Sequence, residues 1–389
     1  MSNPNRRDFL KTLTTASACL ALGGGARGAP PSGPATPARR GRSLVGFTAP
    51  KLETVRWGVI GLGQRGSASL HQTLAVERCE ITALCDIYPP ALEAALGVLA
   101  QAGRARPATY GDGPEAFKKL LEHPDIDAVL ICTPWSWHVP MAVAAMQAGK
   151  HAFVEVPAAE TLEDCWRLVD TAEETQRHCM MLENCCYGRD ELMVLRLCHE
   201  GVFGDLLYGE GAYNHDLRLQ MKDLEHGTGS WRTLEHIKRN GNLYPTHGLG
   251  PVAQYMGINR GDKFGSLVSF STASVGMKEY ADRHFPAGHP RRTANYICGD
   301  VNTSLIRTAN GRVILVQHDT QNAQAYSRAN VIKGTRGGFA GYPNRIFVET
   351  SDGQGQHEWD LDLEPWYGKY EHPLWKKVAE VGAALDRNG

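Results

Sequence analysis

Positive charge is not in surplus in this chain: 41 Lys and Arg face 42 Asp and Glu, a formal net charge of −1. A protein whose main partner is nucleic acid needs an excess of Lys and Arg to neutralise phosphates, so no nucleic-acid partner is expected. No run of eighteen or more apolar residues occurs, which leaves no candidate membrane-spanning helix. The cysteines, at 19, 79, 85, 132, 165, 179, 185, 186, 198 and 298, show neither CxxC nor a paired zinc-ligand spacing, so no metal is expected. Cys79, Cys85, Cys132 and Cys179 lie in or beside apolar strand-like runs, where cysteine serves as a small buried hydrophobe. His215, His226 and His236 also fit no standard metal spacing. No internal repeat is visible. With 42% hydrophobic and 21% charged residues over 389 positions, the chain reads as globular and long enough for two domains.

The N-terminus is of a different kind. Asn5-Arg6-Arg7-Asp8-Phe9-Leu10-Lys11 is a twin-arginine pattern, followed by a mildly apolar stretch over 12–22 and then Gly23-Gly24-Gly25-Ala26. Residues 1–29 are therefore expected to be an export signal, cleaved near Gly28 or Ala29, and the mature protein to be periplasmic or secreted. The twin-arginine route carries folded proteins, which suits an enzyme that takes up its cofactor before export, and few disulfides are expected. Residues 30–52, opening with a stretch rich in Pro, Gly, Ala and Arg, read as a linker.

From residue 53 the pattern alternates. Strand-like runs at 55–60, 79–85, 128–132, 152–154 and 180–182 are separated by helical stretches at 67–74, 90–102, 139–148 and 161–174. Alternation on this scale predicts an α/β fold, a doubly wound parallel sheet of the Rossmann kind over residues 53–190. After about residue 203 longer alternating runs appear at 205–213, 263–270, 302–308 and 312–319, separated by Gly and Asn turns. Residues 191–389 are thus expected to form an α+β substrate domain with a mostly antiparallel sheet, one face packed and one open.

Gly61-Leu62-Gly63-Gln64-Arg65-Gly66 sits between the first strand and the first helix, and Asp86 ends the second strand twenty residues on. In that context the glycines let backbone approach a pyrophosphate, and the helix N-terminus supplies N–H donors. Asp86 can accept the ribose hydroxyls and would repel a 2′-phosphate, so NAD is expected rather than NADP. Thr133-Pro134-Trp135-Ser136-Trp137-His138 follows a strand end, predicting a loop that faces the cofactor, with Trp135 and His138 against it.

Gly61 to Gly66 together with Cys132-Thr133-Pro134, His138 and Gly149-Lys150-His151 to Glu155-Val156-Pro157 resemble the Gfo/Idh/MocA oxidoreductases. That superfamily carries Glu-Lys-Pro where this chain has Glu155-Val156-Pro157, and valine has neither the charge nor the donor with which the lysine helps move a substrate proton. A narrower set is similar to glycoside hydrolase family 109: Glu183-Asn184-Cys185-Cys186-Tyr187-Gly188, Gly209 to His215, Trp231-Arg232, Asn242 to Pro251 with Tyr244 and His247, and Tyr326-Ser327-Arg328. The resemblance implies an NAD-dependent glycosidase acting on terminal α-N-acetylgalactosamine or a related hexoside. Oxidation at C3 acidifies the C2 proton, the C1 group leaves, water adds, and the hydride returns. It places Glu155, Val156 and Asn184 near the nicotinamide, with Gln64 and Arg65 in the cofactor loop. Tyr187 and His247 become the proton carriers, without fixing which acts at C2 and which at C3. Tyr213, Arg232, Tyr244, Tyr326 and His247 are the expected contacts to a glycan or glycoside. The alternatives are a secreted NAD-dependent sugar oxidoreductase and a non-catalytic sugar- or NAD-binding protein. Relatives usually continue past the equivalent of Gly389 into a His-Gly-Gly-containing segment and a helix, so a C-terminal truncation is expected. Open sheets in this superfamily often pair face to face, which implies a homo-oligomer.

Overall fold

In the computed structural model, residues 41–350, 358–377 and 380 are described. The expected export signal and the first part of the expected linker lie outside them. Six apolar runs, β1 (Val55–Ile60), β2 (Cys79–Cys85), β3 (Ala108–Tyr110), β4 (Ala128–Ile131), β5 (His151–Val154) and β6 (Cys179–Met181), pair in parallel. Their order is β3-β2-β1-β4-β5-β6. Helices α1 (Gln64–Leu74), α2 (Pro89–Gln101), α3 (Ala116–Leu121), α4 (Trp135–Gln147) and α5 (Leu162–Thr175) make the crossovers. Successive strand residues feed opposite faces: Val59 joins a core with Leu70, Leu84 and Leu99, while Ile60 joins another with Phe117, Ile131 and Met146. A sheet covered on both sides explains why its strands read as continuous apolar runs.

The strands at 55–60 and 79–85 lie where the sequence places them, whereas β3 and α3 were not foreseen, being too short for a period to show. Trp135 to His138, expected as a loop, form the first turn of α4 instead, with Pro134 as the residue before it. Proline lacks the N–H that would be orphaned at a helix start, so this position suits it. Part of the expected linker is docked: the Arg42 carbonyl accepts from Gln176 Nε2 (2.7 Å) and Leu44 packs on the core that holds Ile60.

The second sheet comprises β7 (Leu206–Asn214), β8 (Phe264–Ser271), β9 (Val301–Thr308), β10 (Val313–Asp319), β11 (Val331–Gly334), β12 (Gly337–Ala340) and β13 (Arg345–Val348). The order is β13-β12-β11-β7-β10-β9-β8, antiparallel throughout except for the parallel β7–β10 pair. Along β10, Ile314 and Val316 are buried against Met193 and Leu197 of α6 (Arg189–His199) and Val252 of α8 (Thr246–Tyr255), and the alternate residues face outward. Truncating such a buried side chain to Ala costs about 2–5 kcal/mol. Helix α7 (Thr228–Lys238) stands apart from that core, at the cleft between the two sheets. No helix among the described residues is long and apolar enough to cross a membrane.

Candidate functional site

The strand order reverses between β1 and β4, and a crevice opens beyond the carboxyl ends of strands at such a point. Three glycines shape its floor. Gly61 takes φ +86° where a Cβ would stand 2.8 Å from the Cys132 backbone, and a Cβ on Gly66 would be 1.9 Å from the Gly61 carbonyl oxygen. A Cβ on Gly63 would meet nothing within 4 Å. The first and third positions thus exist for a tight turn and for helix–strand packing, and the second leaves open space beside the uncapped N-terminus of α1. That arrangement fits a diphosphate on backbone donors. Asp86 accepts from Leu62 N–H (2.6 Å) and Tyr88 N–H (2.8 Å), which fixes its carboxylate at the rim.

A cleft of about 660 Å³ runs from these loops to the second sheet. Of the positions singled out from sequence, all but Gly66, Tyr187 and Tyr213 line it. Three loops are tied together at its centre: Arg65 donates through Nε to Glu155 Oε1 (2.8 Å) and through Nη2 to Asn184 Oδ1 (3.0 Å). Burial lowers the Arg65 pKa, but Glu155 outweighs it and the guanidinium is held above its ordinary value. His138 is bracketed by two carbonyls, Pro157 O (2.7 Å) and Thr133 O (2.8 Å), so it braces two cofactor-side loops rather than offering a free nitrogen. Val156 is buried with Trp135, Tyr213 and Tyr244, an apolar position suited to valine.

His247 sits in the first turn of α8. Its place is set by backbone contact. Gly248 rests on β7 so closely that a Cβ would stand 2.2 Å from Ala212 N, and one on Gly211 would stand 2.3 Å from Gly248 O. This brings the His247 ring to 5.3 Å from Tyr213 and 4.8 Å from Tyr244. His247 Nδ1 lies 2.7 Å from Glu183 Oε1, which also accepts from Cys185 N–H (3.0 Å). Burial pushes the Glu183 carboxyl up, but the His247 contact and further hydrogen bonds outweigh it and hold it below the usual range. An ionised carboxylate only accepts, so Nδ1 carries the proton, and Nε2 is the ring nitrogen that Glu183 leaves unengaged. Glu183 was not singled out from sequence, although its place just past the end of β6 is where functional side chains of such sheets gather.

Arg232, on α7, lies over the rings of Tyr244 (4.7 Å), Trp135 (5.1 Å) and Tyr213 (5.8 Å). One turn along α7 is His236, and behind it His318 of β10, both buried; desolvation, with Arg232 adding to it, pushes them down to about 4 and about 3. Tyr213 is buried in the wall, where its hydroxyl bonds His215 Nδ1 (2.9 Å), instead of facing the cleft. Tyr187 corrects the sequence expectation more sharply. It is 42% exposed, lies outside the cleft lining, and burial of its ring with the neighbouring Cys186 pushes its phenol up. A single turn of 3-10 helix at Asn184–Tyr187 separates Asn184, in the cleft, from Tyr187, outside it.

Glu183, Cys185 and His247 also place a carboxylate, a thiol and an imidazole within 4.8 Å of one another. The Glu183–His247 bond engages two of those donors with each other, and burial pushes the third, the Cys185 thiol, up to about 12.

Residues 55–183 match the oxidoreductase family with an NAD-binding Rossmann fold, and residues 187–387 match the glycosyl hydrolase 109 C-terminal domain. A glycosyl hydrolase family 109 protein of Shewanella amazonensis is 54% identical over 389 residues, spanning 100% of this chain and 84% of the relative. One from Shewanella baltica is 52% identical over 381 residues, 98% of this chain and 83% of the relative. Among solved structures, an NAD-binding oxidoreductase from Klebsiella pneumoniae shares the fold at a TM-score of 0.62 and 18% identity, covering 80% of this chain and 79% of its own. A levoglucosan dehydrogenase with NADH and levoglucosan shares it at 0.60 and 21%, covering 79% of each. With NAD as cofactor and an α/β fold of the Gfo/Idh/MocA type, the chain belongs to glycosyl hydrolase family 109.

Proposed function

We propose that this enzyme hydrolyses terminal α-N-acetylgalactosaminides, or a closely related hexoside, by transient oxidation at C3, elimination across C1–C2 and addition of water. Bound in the cleft, NAD supplies the acceptor and the donor for one hydride. Gly61, Gly63 and the first turn of α1 hold its diphosphate, Asp86 its ribose, and the Arg65–Glu155–Asn184 junction orients the loops around its reactive ring. The chain's own chemistry centres on His247. It takes a proton at Nε2 while Glu183 keeps Nδ1 protonated and stabilises the imidazolium. Arg232, Tyr244 and Tyr326 provide donors and aromatic faces for hydroxyls and an acetamido group.

The observation that carries this reading is the imidazole–carboxylate pair, 2.7 Å apart, between the cofactor loops and an aromatic pocket bearing Arg232. Ordinary acid hydrolysis needs two free carboxyl groups across the bond. Of the three carboxyl groups in the cleft lining, Asp86 is engaged with backbone amides and Glu155 with Arg65, which leaves Glu225 and not a pair. The twin-arginine pattern over residues 5–11 supports export of the loaded enzyme. The test is hydrolysis of p-nitrophenyl α-N-acetylgalactosaminide in heavy water: nitrophenol release with deuterium at C2 of the sugar is expected. Steady NADH accumulation on free sugars without nitrophenol release would instead point to a dehydrogenase.

A further inference from the structure

The rim of the cleft beside Asp86 is completed by residues from the far half of the chain. A segment at 223–229 leads from the 3-10 turn Arg218–Lys222 into α7, and Glu225, His226, Gly227 and Thr228 line the cleft together with Ile87 and Tyr88. The His226 ring is stacked on that of Tyr88, centroids 4.1 Å apart and planes at 26°. Tyr88 is itself bonded through its N–H to Asp86, the residue placed to hold the adenosine ribose.

The root of this segment is fixed. Arg291 of helix α9 (Pro290–Thr293) is buried and donates to three carbonyls of one short stretch, Met221 O (3.2 Å), Asp223 O (2.7 Å) and Gly229 O (3.0 Å). Gly227 adopts φ +90°, and a Cβ there would stand 2.6 Å from Asp223 Oδ2, whose carboxylate accepts from Gly229 N–H (3.2 Å). A buried cation held on loop carbonyls is costly to remove, because the freed carbonyls would lose their donor. The tip, by contrast, is exposed from Leu224 to Gly227 and holds to the cofactor side through the stacked pair.

We propose that residues 223–229 are a strap that retains NAD by closing the adenosine end of the cleft through the His226–Tyr88 stack. Release along that end requires the stack to open. The inference rests on NAD as cofactor and not on the glycosidase reading, although a reaction that returns its hydride every cycle is served by a cofactor that stays.

The experiment uses the full chain loaded with NAD and chased with excess ADP-ribose, reading the nucleotide left on the protein over time. The His226→Ala variant is expected to release NAD roughly three- to tenfold faster, the loss of one ring stack. His226→Phe, which keeps a ring, is expected to restore retention. Combined with Tyr88→Ala, the His226→Ala effect should vanish, since both remove the same contact. Release at the wild-type rate in His226→Ala, equal acceleration by Phe and Ala, or full additivity with Tyr88→Ala would each overturn the proposal. Because retained nucleotide is the readout, a protein without glycosidase activity tests it equally well.

Discussion

Replacing Glu183 by Gln probes the pair at the heart of the cleft. Glutamine keeps an oxygen to accept from His247 Nδ1 and from Cys185 N–H, contacts now at 2.7 and 3.0 Å, but removes the charge. A hydrogen bond to a charged group is worth about 1.5–3 kcal/mol and a neutral one about 1 kcal/mol. The imidazolium formed as His247 takes a proton should therefore lose about 0.5–2 kcal/mol of stabilisation, a roughly 2- to 30-fold fall in kcat. KM should change little, since Glu183 lies behind His247 and not in the cleft lining. The assay is steady-state nitrophenol release with NAD saturating, paired with His247→Ala and the double variant. Glu183→Gln should add nothing to His247→Ala if the carboxylate acts through the imidazole. A kcat within twofold of wild type, or full additivity in the double variant, would refute the reasoning.

Two further outcomes follow from named groups. His236 and His318 titrate near 4 and 3 in the fold because burial, first of all, disfavours their charged forms. These values lie below the unfolded value near 6.5, so the unfolded chain binds more protons and stability falls as pH drops below that point. The loss is roughly 2 kcal/mol per histidine at pH 5. Urea midpoints at pH 7 and pH 5 check it, and His318→Gln should shrink the difference; an unchanged difference would sink the argument. Asp86→Ser should weaken NAD by about tenfold or more through loss of a charged acceptor, while narrowing the preference over NADP. Binding titrations with both dinucleotides read this directly.

The cofactor half was largely legible in the sequence. Continuous apolar strands, a Gly61–Gly66 turn between strand and helix, and Asp86 at the next strand end are local features, and local geometry suffices to interpret them. What failed there was short or at a boundary: β3 and α3 span three and six residues, and the Trp135 turn was hidden by Pro134, which opens a helix as readily as it ends a strand. The substrate side was legible only as residue types. Tyr187 and Asn184 are three positions apart, yet the short 3-10 turn carries the chain on from Asn184 in the cleft lining to Tyr187 outside it, and no periodicity announces that turn.

The sequence by itself determined the alternation that makes a parallel sheet, the diphosphate cradle and the acidic residue that favours NAD, because each depends on neighbours along the chain. Only the tertiary structure decided which side chains meet. Glu183 and His247 are 64 residues apart and touch because two glycines, Gly211 and Gly248, let β7 and α8 approach to backbone contact. Close packing of distant segments is a property of three-dimensional shape, and a one-dimensional pattern carries no record of it.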